Sequence, residues 1–229
     1  MTMPIYVYFV LGGVLAFVLI TWGVRVSRAR RQAKDTELQR LGLTPCAERK
    51  GWLEATITAI ERNEGYRYEV RNPRKLTGSH EVFHCTTIRH GNRSDDDAFY
   101  EEVIVFPLKR SSSAGLLLLV KPSSIGPGLG LRVLKSVASA NWDSQPDDLK
   151  RIEIPDDLTN SNLLGALGPP GARLYDLVDT GTLSVVQRLG DLGAMTILFR
   201  DGWCVIGRGD SSGTPFRVGE LLSLIRPLL

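Results

Sequence analysis

Three histidines and one cysteine lie within eleven residues and are the first candidates for chemistry. His80, His84, Cys85 and His90 supply imidazole nitrogens and a thiol, the side chains that zinc prefers. The run 81–89 around them is rich in β-formers, and on a strand His84 and Cys85 point to opposite faces. No Cys-x-x-Cys or His-Glu-x-x-His spacing accompanies them. We therefore expect no metal site.

A serine-containing segment, residues 209–215 (GDSSGTP), resembles the nucleophile motif Gly-Asp-Ser-Gly-Gly-Pro of chymotrypsin-like serine proteases. The pair His84-Cys85 likewise resembles the pair around the general base of that family. The family has two glycines after the nucleophile, which help to form the oxyanion hole, but Ser211 is followed by Ser212 and Gly213. Glycine, aspartate and serine after a strand are also typical of an ordinary turn, which is the interpretation we favour.

A glycine-rich loop runs from Gly126 to Gly130 (GPGLG), between a predicted strand and a predicted helix. Backbone amides can hold phosphate at such a position. The loop lacks the Lys-Ser/Thr of a P-loop, and Pro127 removes one N–H donor. The acidic run 95–97 lacks the spacing of an EF-hand. We therefore expect neither nucleotide nor calcium, and no cofactor.

The elements that position these residues form an α+β pattern. Strands are predicted over 66–70, 81–89, 99–108, 115–120, 150–154, 183–188, 194–199 and 203–206, and helices over 27–41, 131–142, 158–167, 172–178 and 216–225. Segment 52–62 fits a helix face through its leucine and isoleucines, but its β-branched run 56–58 favours a strand, and we predict a strand. Run 115–120 (GLLLLV) is apolar throughout, which predicts a strand inside the sheet with both faces covered.

The order of these elements predicts a mostly antiparallel sheet with helices, built from two similar halves, 46–142 and 143–229. The halves are preceded by an N-terminal transmembrane anchor, 1–26, and a basic juxtamembrane helix or linker, 27–45. Residues 5–24 (IYVYFVLGGVLAFVLITWGV) carry no charge. Twenty helical residues measure about 30 Å, the thickness of the hydrocarbon core of a bilayer.

The basic residues that follow the apolar run predict its orientation. Arg25, Arg28, Arg30, Arg31 and Lys34 come directly after it, whereas a cleaved signal peptide carries its positive charge before the apolar run. Basic residues near a span stay on the cytoplasmic side, so we expect the N-terminus outside and the C-terminal domain in the cytoplasm. The same cations could hold anionic lipid, and orientation explains them equally well.

Small and aromatic residues in the apolar run predict what it contacts. Gly12, Gly13 and Ala16 have a spacing that lets a second helix approach closely in lipid. Tyr6, Tyr8 and Trp22 lie near the two ends, where aromatic rings settle at the level of the lipid headgroups. We expect the first set to pack against another helix and the second set to lie at the membrane interface.

Charge and cysteine content argue against a nucleic-acid-binding protein and against a disulfide-bonded one. The formal net charge is +3, and much of it belongs to the juxtamembrane cluster, so no basic face indicates nucleic acid. Cys46, Cys85 and Cys204 are isolated and odd in number, which indicates reduced thiols in a cytoplasmic compartment.

Three features of the sequence predict a non-catalytic scaffold. They are a span with a close-packing face, a domain with clear helix and strand patterns, and the lack of a recognisable catalytic motif. We expect a single-pass accessory subunit of the bacterial inner membrane, whose partners are other membrane subunits and the lipid bilayer. The architecture resembles that of bacterial single-pass proteins that are extra subunits of energy-converting complexes, including photosynthetic reaction centre and antenna assemblies. No motif carries this resemblance, and it assigns no residue. The alternative is a membrane-tethered enzyme or ligand sensor that uses the loop from Gly126 to Gly130 or His80, His84 and His90.

Overall fold

The structure is a computed structural model that describes residues 5–78, 81–91, 99–109, 114–125, 146–158, 161–209 and 217–229. For residues 5–15 it describes the backbone and not the side chains. The chain divides into two compact units, Met1–Gly42 and Leu43–Leu229.

The first unit is one long helix, α1, over Ile5–Arg40. Its 36 residues measure about 54 Å along the axis. Its second half contains five arginines, two alanines, two glutamines, one lysine and one glutamate, which are good helix formers. The helix predicted over 27–41 is therefore confirmed as a direct continuation of the apolar segment.

In its described residues the second unit is built on one nine-stranded sheet, whose neighbouring strands are all antiparallel. The strands are β1 Leu43–Pro45, β2 Tyr66–Leu76, β3 Phe83–Gly91, β4 Phe99–Pro107, β5 Leu116–Val120, β6 Lys150–Ile152, β7 Leu163–Gly168, β8 Met195–Arg200 and β9 Trp203–Gly209. Their order in the sheet is β1-β2-β3-β4-β9-β8-β5-β7-β6. The helices are α2 Lys50–Glu61, α3 Leu174–Leu177, α4 Thr180–Leu189 and α5 Val218–Ile225. The predicted α+β class with a mostly antiparallel sheet is confirmed.

Strands from both predicted halves are mixed in this sheet. Strand β5, from the segment before residue 143, lies between β7 and β8, which come after it. All five residues of β5 are buried, which confirms the prediction of an inner strand covered on both faces. The segments 46–142 and 143–229 share one sheet, and their similarity to each other stays a prediction.

The strand predicted over 52–62 is wrong, because this segment lies in helix α2. Leu53, Ile57 and Ile60 are fully or almost fully buried and lie on one face of the helix, at the spacing i, i+4, i+7. They join a cluster that includes Val70 and Val205 from the sheet. Burial of this face outweighs the β-propensity of the threonines and isoleucines, because propensity is a weak prior beside tertiary packing.

Two later predictions were also wrong. The strand predicted over 183–188 is helix α4, which begins after Asp179; its carboxylate accepts a hydrogen bond from the Thr182 amide at 2.8 Å. The N-cap aspartate was the sequence signal for a helix, but the apolar residues of 183–188 suggested a strand instead. The helix predicted over 158–167 is in part strand β7, whose Gly165 and Gly168 weaken a helix. The helix predicted over 131–142 lies outside the described residues.

One buried cation joins helix, sheet and loop in the second unit. Arg200, the last residue of β8, is 1% exposed. One of its terminal nitrogens donates to the Ile60 carbonyl at 2.7 Å, and the other donates to Asp148 Oδ1 at 2.6 Å. The Ile60 carbonyl belongs to the last turn of α2, the negative end of the helix dipole. Gly115 lies against the guanidinium, and a Cβ there would come within 2.5 Å of it.

Arg62 extends this network to the hairpin between β8 and β9. Its guanidinium contacts Asp201 Oδ2 at 2.8 Å and Asp148 Oδ2 at 3.4 Å. Asp201 and Gly202 have φ angles of 51° and 79°, as a two-residue type I′ turn requires. The hairpin predicted at Arg200-Asp201-Gly202 is therefore confirmed, and the network fixes it to the end of α2.

We expect Arg200→Met to lower the free energy of unfolding by about 2–4 kcal/mol, because two charge-assisted hydrogen bonds disappear from a buried position. Chemical denaturation of the full chain in mild detergent measures this loss. The matched control is Arg217→Met, which removes an exposed pair with Glu220 and should change stability by at most about 0.5 kcal/mol. Equal losses in the two variants would contradict a special role for Arg200.

Candidate functional site

The described part of α1 exposes apolar side chains on every side. The large ones, at 45–69% exposure, form what we call the apolar girdle: Phe17, Val18, Leu19, Ile20, Trp22 and Val24. Successive residues of a helix turn by about 100°, so these six point in all directions around the axis. A helix packed on a globular core would instead confine them to one stripe. Ala16, which we expected to pack against another helix, is also exposed.

Much of the predicted span lies outside the residues whose side chains are described. The side chains of Tyr6 and Tyr8, expected at the membrane interface, are not described. The same holds for Gly12 and Gly13 of the predicted packing face. Searched over the described residues alone, the structure contains no helix that is long and apolar enough to cross a membrane. The transmembrane span over 5–24 therefore stays a prediction.

A group of arginines follows the girdle, and we call Arg25, Arg28, Arg30 and Arg31 the arginine collar. All four are exposed on α1. Arg25 comes directly after Val24, the last girdle residue, so the surface of the helix changes from apolar to cationic within one residue. Within the described part of the chain, none of the four forms an ion pair.

The histidines do not converge. His84 is 3% exposed, and its Nε2 lies 3.9 Å from Glu102 Oε2. His90 Nε2 lies 3.4 Å from Glu69 Oε2, and six residues of strand separate the two histidines by about 20 Å. His80 lies outside the described residues. Among the described side chains, no three metal-ligating groups come together, and Cys85 faces away from His84.

The other motifs weighed from the sequence also lie outside the described residues. These are the glycine-rich loop from Gly126 to Gly130, the acidic run 95–97 and the segment 210–216 with Ser211. Their proposed chemistry therefore stays a prediction in every case.

A pair of carboxylates that the sequence did not indicate lies on the α2 side of the sheet. Glu61 ends α2, and Glu101 projects from β4. Glu101 Oε1 accepts a hydrogen bond from Thr196 Oγ1 at 3.0 Å. Gly207 makes room for this carboxylate, since a Cβ at that position would lie 2.1 Å from Glu101 Oε1.

Burial raises the pKa of both carboxyl groups. Burial, together with the negative charge of Glu101, raises the pKa of Glu61 from 4.5 to about 7, while Arg89 and Arg200 act in the opposite direction. Burial also raises the pKa of Glu101, against the hydrogen bond from Thr196 and the charge of Arg89. Glu61 can therefore take up or release a proton near neutral pH.

Aromatic rings hold Arg89 beside the two carboxylates. Its guanidinium lies 4.7 Å from the Tyr66 ring centre and 5.1 Å from the Phe99 ring centre, within cation–π range. Burial and the negative charge of Glu61 raise the pKa of the Tyr68 hydroxyl, and the positive charge of Arg89 acts in the opposite direction. Sequence reasoning missed this group because it places residues from one helix and three strands together. The available signal was the alternation in β4, which places Glu101 and Glu102 on opposite faces of the sheet, with Glu101 on the same face as Val103 and Val105.

The three cysteines are free and buried, as the isolated thiols in the sequence predicted. Burial raises the pKa of Cys85 to about 12, and it raises those of Cys46 and Cys204 as well. Since the thiolate is the reactive form, these side chains are inert packing residues.

A cleft of about 460 Å³ opens where β6 departs from β7. Its lining residues are Arg151, Ile152, Glu153, Ile154, Leu163, Leu164 and Gly165. Neither Glu61 nor Glu101 belongs to this lining, so the cleft and the proton-binding pair are separate features.

No family model, curated protein or solved structure matches the chain. Function must therefore be inferred from the surfaces and groups of the molecule itself.

We expect the stability of the protein to fall as the pH rises from about 4.5 to about 7, through the action of Glu61. Its pKa is higher in the folded chain than in the unfolded chain, so the folded chain binds more protons within this window. Glu61→Gln removes the charge and should flatten this part of the curve and raise the melting temperature at pH 8. Thermal unfolding of the full chain across the window measures both effects. The exposed Glu48→Gln serves as control, and a Glu61→Gln curve that follows the wild type would refute the assignment.

Proposed function

We propose that the protein is a non-catalytic, single-pass accessory subunit that stabilises a multi-subunit complex in the bacterial inner membrane. Helix α1 is the anchor, with its N-terminus outside, and the unit Leu43–Leu229 lies in the cytoplasm. The observation that carries this proposal is the apolar girdle, exposed on all sides of α1.

The exposed apolar side chains of the girdle are stabilised when lipid or another protein shields them from water. Complete burial of one side chain of this size contributes about 1.5–3 kcal/mol, and the six are about half exposed, so covering them contributes several kcal/mol. Lipid chains cover a helix from every direction, and neighbouring helices can replace lipid along part of the surface. The backbone of α1 is helical from Ile5 onward, which is consistent with an uncharged span over 5–24.

The arginine collar supports the orientation. Four exposed arginines directly after the apolar segment are expensive to carry across a bilayer, so the side they occupy is the cytoplasmic side. Buried, free thiols in the second unit are consistent with a reducing compartment.

A scaffold fits the described residues better than the alternative, a membrane-tethered enzyme or ligand sensor. His84 and His90 lie too far apart to share a ligand, and the described cleft does not include the Glu61–Glu101 pair. The resemblance in architecture to extra subunits of energy-converting complexes makes such an assembly, photosynthetic or respiratory, the partner that we propose.

Anchoring is tested by placing charges in the girdle. We expect Phe17→Asp/Ile20→Asp to move the full chain from the carbonate-resistant membrane fraction to the soluble fraction, because each carboxylate costs about 2.5–3.5 kcal/mol near the centre of a span. The matched control, Gln32→Asp/Gln39→Asp, adds the same two charges beyond the girdle and should stay with the membrane. A wild-type chain that carbonate extracts would refute the anchor.

The accessory role is tested by purification in mild detergent. We expect other membrane subunits to co-purify with the wild type, and Gly12→Leu to reduce their recovery several-fold, because a larger side chain keeps a neighbouring helix at a distance. Val18→Leu is the control, since it lies about 240° around the helix from Gly12. Equal recovery with all three chains would count against packing through Gly12, and a wild type that purifies alone would count against the accessory role.

A further inference from the structure

We propose that the arginine collar binds the phosphate groups of anionic lipids. This inference rests on the proposed anchoring of α1 and adds a chemical preference to it. The collar is exposed, begins directly after the girdle and forms no ion pair within the described part of the chain.

The spacing of the collar matches the depth of the headgroup layer. Arg25, Arg28 and Arg31 recur at every third residue, so they form one slowly turning stripe along α1. From Arg25 to Arg31 the helix rises about 9 Å, and the headgroup region on each side of a bilayer is about 5–8 Å deep. Arg30 widens the cationic surface to more than half of the circumference of the helix.

The side chains are suited to phosphate. A guanidinium presents its donors in a planar fork that can bind two phosphate oxygens at once. Residues 5–34 contain no acidic side chain, and the first carboxylate, that of Asp35, comes one helical turn after Arg31.

The girdle decides between a lipid and a soluble phosphate as the ligand. Trp22 and Val24 are 64% and 45% exposed, and Arg25 follows them without a break. A ligand that covers both surfaces needs an apolar chain joined to an anionic head. An anionic phospholipid has both parts, whereas inorganic phosphate satisfies only the arginines.

Trp22 provides a local probe of this surface, because it precedes Arg25 by a rise of about 4.5 Å. The full chain is reconstituted in phosphatidylcholine vesicles that contain either brominated phosphatidylglycerol or brominated phosphatidylcholine, and the quenching of tryptophan fluorescence is measured. Subtracting the signal of Trp22→Phe isolates the contribution of Trp22. We expect the anionic lipid to be preferred about fivefold near Trp22.

We expect Arg28→Gln/Arg31→Gln to reduce this preference to about one. The control, Arg40→Gln/Arg226→Gln, removes two exposed arginines outside the collar and should keep it. Added phosphate and added chloride of equal ionic strength should weaken the preference equally, through screening.

Three results would overturn the proposal, and they differ from each other. Equal quenching by the two lipids in the wild type would leave the anchor intact and remove the lipid preference. Loss of the preference with phosphate but not with chloride would make the collar a site for soluble phosphate. Absence of quenching by either lipid would refute the anchor itself, and with it the proposed function.

Discussion

The fold of the second unit depends on one buried cation whose partners come from distant parts of the chain. Arg200 connects the last strand residue of β8 to the C-terminal turn of α2 and to Asp148. An arginine at 1% exposure is tolerated because a helix dipole and a carboxylate both face it. Its hydrogen bond to the Ile60 carbonyl holds the last turn of α2 against β8, and Glu61 is the last residue of that turn. Arg200 and the buried apolar face of α2 together place Glu61 beside Glu101.

The parts of this fold that could be predicted from the sequence are those that local chemistry decides. The turn at Asp201-Gly202 requires positive φ angles, and the apolar run of β5 requires cover on both faces, so both were predicted correctly. Helix α2 was mistaken for a strand because its pattern fits both periods, and only the sheet beneath Leu53 and Ile57 decides between them. Strand β7 was mistaken for a helix for a similar reason, since its pairing with β5 is a long-range contact.

The candidate site also has one part that the sequence predicts and one part that it does not. The collar arginines and Trp22 are neighbours in sequence, so their grouping could be predicted, and the structure places all of them on the exposed surface of α1. The Glu61–Glu101 pair could not be predicted, because the two residues are forty positions apart and meet only when α2 packs on the sheet. Gly207, which makes room for Glu101, carries no signal of that role in the sequence.

The two units present different surfaces to their surroundings. The second unit buries most of its apolar side chains in its own core, whereas the six girdle residues of α1 are 45–69% exposed. In the proposed account lipid and partner helices cover these residues, and the collar keeps the second unit on the inner side. The most direct measurement is protease digestion of a C-terminally tagged full chain, in intact spheroplasts and in inside-out vesicles. The account predicts that the tag survives in spheroplasts and is cleaved in the vesicles, and cleavage in intact spheroplasts would contradict it.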